Sequence, residues 1–300
     1  MKTNEIRGII PAMVTAFNED ESINEAGVRA TARRMLDAGA HGIFPGGTNG
    51  EFYAMTAAER QQVLEIVIDE VSGAVPVYAG AGAVTTREAI LLAKAAEAAG
   101  ADALSVITPY FAAASQTELV AYFARVADAV SLPVILYNIP ARTGNSISPA
   151  TLEKLAQVPN IVGVKDSSGN FDNLLQYLAR VPVGEDFAVL CGNDSLILWA
   201  LLAGASGSIT GVANVYPETM VGIFDEWSKG EIDRARVLQD SIRPFRTVFR
   251  HGNPNTVVKL ATNMLGWPVG PCRAPFSTLA VEGEDELRRV LAEGGERDMR

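Results

Sequence analysis

The sequence is poor in the residues that bind transition metals and form disulfides. Its 300 residues include only two cysteines, Cys191 and Cys272, and two histidines, His41 and His251. Two cysteines do not make a disulfide framework, and a metal site rich in nitrogen or sulfur ligands is not expected. We therefore predict a protein that works without a metal or other cofactor, in the reducing environment of the cytoplasm.

Long apolar runs and an excess of positive charge are also lacking. No stretch approaches the length of a membrane span, and the first residues, MKTNEIRG, are polar rather than typical of a signal peptide. Lysine and arginine number 25 against 35 acidic residues, which gives a net charge of −10. Because an acidic surface disfavours nucleic acids and anionic membranes, we expect a small molecule as the partner.

What the sequence does contain is a regular alternation of short β-branched runs with longer helical patterns. Eight runs are predicted as strands: 8–14, 42–45, 75–79, 103–107, 134–137, 161–164, 187–190 and 207–210. Strands that alternate with helices form βαβ units, so the pattern predicts an α/β fold, a (β/α)8 TIM barrel with a parallel sheet. A doubly wound sheet is the alternative, but the residues after the first strand are not its glycine-rich phosphate turn.

Helix starts are marked by residues that favour N-caps. The predicted caps are Thr56, Thr85, Thr117 and Ser148. Thr56 and Glu59 have the spacing of a capping box, and Pro149 after Ser148 suits the first position of a helix. These starts support the alternation of strands and helices.

The strand pattern stops after Asn214. Helices are expected at 216–227, 232–249, 256–265 and 284–291, and the charged tail 293–300 is expected to fray. We predict a catalytic barrel in residues 1–220 and a C-terminal helical extension in residues 221–300.

Lys165 stands where a barrel carries its functional groups. It follows the sixth predicted strand directly, and functional residues of such barrels lie at the C-terminal ends of the strands. Burial favours a neutral amine, which is a nucleophile that attacks carbonyl carbon and forms a Schiff base. The alternative is a lysine that extends to the surface and pairs with a carboxylate.

Three other strand ends carry complementary groups. The turn Gly46–Glu51 contains Thr48, and its glycines expose backbone N–H groups that suit a carboxylate. Tyr137 ends the fifth predicted strand and can relay a proton, and Arg142 can bind a carboxylate through two hydrogen bonds. Together with Lys165 these groups supply the amine, proton relay and anion site that a Schiff-base enzyme needs.

Three segments resemble motifs of a known superfamily. Gly47–Glu51, Tyr137–Pro140 and Gly163–Lys165 are similar to the class I pyruvate aldolases that include dihydrodipicolinate synthase and N-acetylneuraminate lyase, and the likeness covers nearly the whole chain. The resemblance implies that Lys165 forms an imine with pyruvate or another 2-keto acid. It implies that Tyr137 and Thr48 move protons, without a metal, in a homotetramer or homodimer. The implied substrate-binding residues are Thr48, Asn49, Tyr110, Arg142, Gly192 and Ile209.

Arg142 favours a second substrate that carries a carboxylate. It resembles the arginine with which dihydrodipicolinate synthases bind aspartate semialdehyde, whereas sialate lyases lack it. The leading expectation is therefore a condensation of pyruvate with an aldehyde, as in 4-hydroxy-tetrahydrodipicolinate synthases.

Other residues do not decide the identity of the second substrate. Asn49 and Phe111 stand where synthases carry threonine and tyrosine, and either Asn253 or Asn255 could match the asparagine that helps to hold the semialdehyde. A 2-keto-3-deoxy sugar-acid aldolase or dehydratase, or an enzyme similar to N-acetylneuraminate lyase, stays an alternative.

Two hypotheses come from outside Schiff-base chemistry. A metal-dependent barrel enzyme would have to use the carboxylates near strand ends, Glu51, Asp166 and Asp194. A barrel that binds a metabolite as a sensor would need no catalytic group.

Overall fold

The computed structural model describes residues 5–182 and 187–298, and a parallel sheet of seven strands lies at its centre. The strands are β1 Gly8–Pro11, β2 Tyr78–Gly80, β3 Ala103–Ile107, β4 Val134–Asn138, β5 Ile161–Asp166, β6 Ala188–Cys191 and β7 Gly207–Thr210. Their order is β1-β7-β6-β5-β4-β3-β2, and every neighbouring pair is parallel. The predicted α/β class is confirmed.

The second predicted strand, residues 42–45, is wrong as an extended strand. Ile43 and Phe44 each form a single parallel bridge, one to the residue before β2 and the other to the residue after β1. The neighbouring Pro11 and Pro76 have no N–H to donate, which limits the pairing. Their carbonyl oxygens accept from the N–H of Phe44 and of Ile43, each at 2.9 Å. This short segment joins the two edges of the sheet, so the sheet curls around on itself.

Helices follow the strands along the chain. They are α1 Glu25–Asp37, α2 Ala57–Val71, α3 Thr86–Ala99, α4 Gln116–Asp128, α5 Pro140–Thr143, α6 Pro149–Leu155, α7 Phe171–Arg180, α8 Ile197–Leu202, α9 Pro217–Ser228, α10 Ile232–Ser241, α11 Arg243–Val248, α12 Pro254–Met264 and α13 Val281–Asp298. The predicted capping box at Thr56 is present, and Thr85 and Ser148 cap their helices as expected. α4 begins earlier than predicted because Ser115, not Thr117, forms a capping box with Glu118.

Only helices follow β7 in the described part of the chain. The helix expected at 232–249 is divided into α10 and α11, because Pro244 cannot donate the hydrogen bond that would continue α10. The helix α13 runs to Asp298 where fraying was expected, and residues 299–300 lie outside the described residues. The division at residue 220 stays a prediction. None of the described helices is long and apolar enough to cross a membrane.

The two faces of the sheet bury different hydrophobic clusters. Leu136 of β4 packs in the large cluster between sheet and helices, whereas Ile135 packs in a cluster inside the curled sheet. Tyr137 lies two residues after Ile135 in the same strand, so its side chain is on the same face of the sheet and points inward. Because Tyr137 lies opposite Lys165 in the β4–β5 register, Lys165 also points inward, at the C-terminal end of β5.

Candidate active site

Lys165 is a buried amine with no carboxylate in contact among the described residues. The residue is 4% exposed, and its Nζ lies 4.0 Å from the centre of the Tyr137 ring and 5.2 Å from that of Phe44. No acceptor within residues 5–182 and 187–298 takes a hydrogen bond from Nζ. The alternative of a lysine that extends to a surface carboxylate is therefore wrong.

Tyr137 and Thr48 form a hydroxyl pair beside this amine. Their oxygens, Oη and Oγ1, lie 3.2 Å apart, although the residues are 89 positions apart in sequence. Tyr137 is 3% exposed and Thr48 is half-buried, so the pair reaches from the inner face toward the solvent side. A chain of two hydroxyls can pass a proton in either direction, because each is both donor and acceptor.

The predicted carboxylate-binding turn lies at the same end of the curled sheet. Asn49, beside Thr48, packs on Gly211 in the turn that follows β7. A Cβ on Gly211 would overlap the amide nitrogen of Asn49, so the Asn49 side chain would have to move away from a larger residue at this position. Asn49 therefore contacts the end of β7 rather than the cavity that Thr48 lines.

An open cavity of about 220 Å³ leads to Thr48. Its lining comprises Thr48, Phe52, Tyr53, Ile107, Tyr110, Arg142, Thr143, Asn253, Asn255 and Phe276. Three predicted site residues, Thr48, Tyr110 and Arg142, thus share one space. Lys165 and Tyr137 are not among these lining residues. The cavity is connected to them through the Thr48 hydroxyl, which contacts the Tyr137 hydroxyl beside the Lys165 amine.

Arg142 and Tyr110 are two of the polar residues that line this cavity. Arg142 lies in the short helix α5, is exposed, and has no ion pair or side-chain hydrogen bond with any described residue. Its guanidinium is therefore available to a ligand. Tyr110 is half-buried and its ring contacts Phe52 edge-on, with ring centres 5.9 Å apart. Burial raises the pKa of Tyr110, so its hydroxyl is neutral at ordinary pH.

The structure shows the surroundings of Gly192 and Ile209, the two residues expected around the imine. The Gly192 carbonyl accepts from the Ser167 hydroxyl at 3.4 Å, and the Gly192 N–H donates to the Asp166 carbonyl at 2.8 Å. A side chain at Gly192 would overlap the Ser167 hydroxyl. Ile209 packs inside the curled sheet in the same cluster as Phe44, which lies beneath the Lys165 amine.

The three carboxylates of the metal hypothesis have separate partners. Glu51 pairs with Lys259 at 3.0 Å, and Asp166 accepts from the Asn138 amide at 2.9 Å. Asp194 accepts from a threonine hydroxyl of β7. Across the described ranges, no three histidine, cysteine or acidic side chains are grouped as metal ligands would be. Cys191 and Cys272 are free and buried.

The structure separates the two asparagines beside Pro254. The Asn253 side-chain oxygen accepts from the backbone N–H of Asn255 at 3.2 Å and caps α12. The Asn255 amide donates to the Thr48 carbonyl and to the Tyr53 hydroxyl. Both residues line the cavity, but the amide nitrogen of Asn255 is already used by the protein. No local motif pairs Asn255 with Thr48, so the sequence did not predict this contact.

A salt bridge connects the start of α2 to the segment after α12. Arg273 contacts Glu59 through two nitrogen–oxygen pairs, at 2.5 and 3.1 Å. The Arg273 guanidinium holds the pKa of Glu59 at about 2, below the ordinary 4.5. A lowered folded-state pKa stabilises the fold above the unfolded pKa, and this stabilisation is lost as pH falls from 4.5 through 2.

We expect Glu59→Gln to be less stable than the wild type at about pH 7 and to lie closer to it at about pH 3. The reason is that between pH 4.5 and 2 the unfolded chain takes up a proton at Glu59 while the folded chain still holds the ion pair, so the stabilisation from that pair declines. Urea unfolding midpoints at the two pH values measure the difference. Glu153→Gln, which breaks the exposed pair with Arg180, is the control. An equal difference at both pH values would contradict the expectation.

Comparison with known proteins places this geometry in a family. The sequence profile of the dihydrodipicolinate synthetase family matches residues 5–293. A 4-hydroxy-tetrahydrodipicolinate synthase of Methanopyrus kandleri is 42% identical over 294 residues, covering 97% of each chain. YagE, a prophage protein of the dihydrodipicolinic acid synthase family from E. coli K12 solved with pyruvate, has a TM-score of 0.92 at 33% identity, covering 97% of this chain and 99% of its own. A monomeric dihydrodipicolinate synthase variant has a TM-score of 0.93 at 29% identity, covering 98% of both chains.

The fold, the buried lysine and these likenesses define a lyase of the class I aldolase type, as the sequence predicted. The chain belongs to the dihydrodipicolinate synthetase family.

Proposed function

We propose that the chain condenses pyruvate with aspartate semialdehyde, the reaction of a 4-hydroxy-tetrahydrodipicolinate synthase. The observation that carries the proposal is the inward-pointing Lys165 amine beside the Tyr137–Thr48 hydroxyl pair, where no carboxylate of the described residues contacts it. The relative from M. kandleri is named for this activity, and YagE was solved with pyruvate.

The proposed chemistry begins with attack of Lys165 Nζ on the C2 carbonyl of pyruvate. Loss of water gives an imine, whose positive charge makes a C3 proton acidic. Removal of that proton gives an enamine, and its C3 attacks the aldehyde carbon of the second substrate. Tyr137 and Thr48 accept and return the protons through their 3.2 Å contact. The amino group of the second substrate then attacks the imine carbon and displaces the Lys165 amine, so the ring closes with its own C=N bond and one water has been lost overall.

Arg142 is the group that we assign to the second substrate. It lines the entry side of the cavity and is free to bind a carboxylate through two hydrogen bonds. We assign the carboxylate of pyruvate to the Thr48 turn, so the carboxylates of the two substrates bind at different sites.

We expect Arg142→Ala to raise KM for the aldehyde about 10- to 100-fold, since charge-assisted hydrogen bonds to a carboxylate are lost. The pyruvate dependence should change little. Steady-state kinetics with each substrate varied in turn measure both values. Arg180→Ala, on the exposed end of α7, is the control. An equal rise in KM for both substrates would contradict the assignment of Arg142 to the aldehyde.

A sugar-acid aldolase or dehydratase is the second candidate. Asn49 favours it, because synthases carry a threonine at this position in the turn. A product screen separates the candidates: pyruvate with a panel of aldehydes that includes aspartate semialdehyde, and deoxy keto acids for cleavage and dehydration. Turnover of aspartate semialdehyde below that of a sugar aldehyde would reject the synthase assignment.

We further propose an eighth strand, a C-terminal helical extension and an oligomeric assembly. The segment at Ile43 and Phe44 acts as the eighth strand of a (β/α)8 barrel, because it bridges the sheet edges on both sides. The helices after α9 form a C-terminal extension of that barrel. The active form is a cytoplasmic homotetramer or homodimer, which sedimentation equilibrium would distinguish from a monomer.

A further inference from the structure

The Asn255 side chain is a buried amide whose two N–H donors both go to the candidate site. The residue is 2% exposed. Its Nδ2 donates to the Thr48 carbonyl at 2.7 Å and to the Tyr53 hydroxyl at 3.0 Å. An amide nitrogen has two protons, so these contacts use its donor capacity and fix its orientation. Asn255 therefore acts on Thr48 through its amide nitrogen.

A second residue of α12 contacts the other end of the turn Gly46–Glu51. Lys259, four residues after Asn255, lies on the same face of α12. Its Nζ donates to Glu51 at 3.0 Å and to the Pro271 carbonyl at 2.6 Å, and both side chains of the ion pair are almost fully buried. Glu51 has a φ of 56°, in the left-handed region, which this pairing holds in place.

These contacts bear on the geometry of the hydroxyl pair. The Thr48 side chain must point at Tyr137, while the backbone of its turn faces the carboxylate of the keto acid. Rotation of the Thr48 peptide would change the direction of the Thr48 side chain and that of the turn's backbone at the same time. The Asn255 amide opposes that rotation together with the Glu51 N–H, which donates to the same Thr48 carbonyl at 3.1 Å, because the rotation would break both hydrogen bonds.

We propose that Asn255 is a positioning residue that sets the affinity for the keto acid by fixing the Thr48 peptide. The inference rests on the proposed function, since it assumes that the Thr48 turn binds the carboxylate of pyruvate. Asn255 contributes to the binding of the first substrate, whereas Arg142 contributes to that of the second.

The test is the pyruvate dependence of the borohydride-trapped adduct in Asn255→Leu. Leucine has a similar volume and no donor, so the half-saturating pyruvate concentration should rise about tenfold. KM for the aldehyde should stay within about twofold of the wild-type value, a split that general loss of stability would not produce.

Two variants complete the experiment. Asn263→Leu removes another asparagine of α12, which holds the backbone of Val269 and Gly270, and should lower stability without changing the pyruvate dependence. If Asn255→Leu does not fold, Asn255→Ser replaces it with the same expected rise. An unchanged pyruvate dependence in the folded Asn255 variant would overturn the inference, whereas absence of an adduct in the wild type would overturn the proposed function instead.

Discussion

Lys165→Ala is expected to form no borohydride-reducible adduct with pyruvate and to show no measurable turnover. The imine needs the Nζ atom, and no other lysine is placed beside the Tyr137–Thr48 pair in the described structure. The fold should survive, because the amine makes no hydrogen bond to a described residue and alanine fits a buried strand position. Intact mass after reduction measures the adduct, and circular dichroism checks the fold.

Two further variants make the Lys165 experiment specific. Lys165→Arg places a long nitrogen-bearing side chain over the Tyr137 ring but supplies no nucleophilic amine, so it too should form no adduct. Lys229→Ala removes an exposed lysine at the end of α9 and should react like the wild type. An adduct of unchanged yield in Lys165→Ala would refute the Schiff-base assignment.

Tyr137→Phe is expected to lower kcat by about 10²–10⁴, the range for a group that transfers a proton in the transition state. The ring stays, so the aromatic contact with Lys165 and the packing of Ile107 are kept. Only the hydroxyl that contacts Thr48 is lost. Single-turnover kinetics with trapped intermediates should show imine formation or proton removal as the slowed step.

The matched control for Tyr137 is Tyr177→Phe. The Tyr177 hydroxyl is also buried, but it donates to the Ile147 carbonyl, away from the cavity. This variant should lose stability without loss of kcat. Near-wild-type turnover in Tyr137→Phe would show that the proton relay runs through other groups.

The sequence predicted the central pair because it depends on local rules. Parallel strands bring their C-terminal ends to one side, and side chains alternate between the two faces. Lys165 and Tyr137 each end a strand, so their approach in the β4–β5 register follows from those rules. Thr48 was predicted in the same way, from a glycine-rich turn at a strand end.

Other features depend on contacts that no local pattern encodes. The segment at Ile43 and Phe44 has strand composition, but two prolines on neighbouring strands limit its ladder. The Gly192 carbonyl, which the resemblance implies to face the imine, also accepts a hydrogen bond from Ser167, a contact that no local pattern predicts. The donation from Asn255 to Thr48 spans 207 positions, and only the folded chain brings the two together.

That separation has a consequence for biosynthesis. A ribosome that adds about 5–20 residues per second needs roughly 10–40 s to pass from Thr48 to Asn255. During this interval the nascent chain already carries Thr48, Tyr137 and Lys165, but α12 has not yet been made. A nascent or truncated polypeptide that ends before α12 would therefore contain every proposed catalytic side chain and still lack the helix that holds the Thr48 turn.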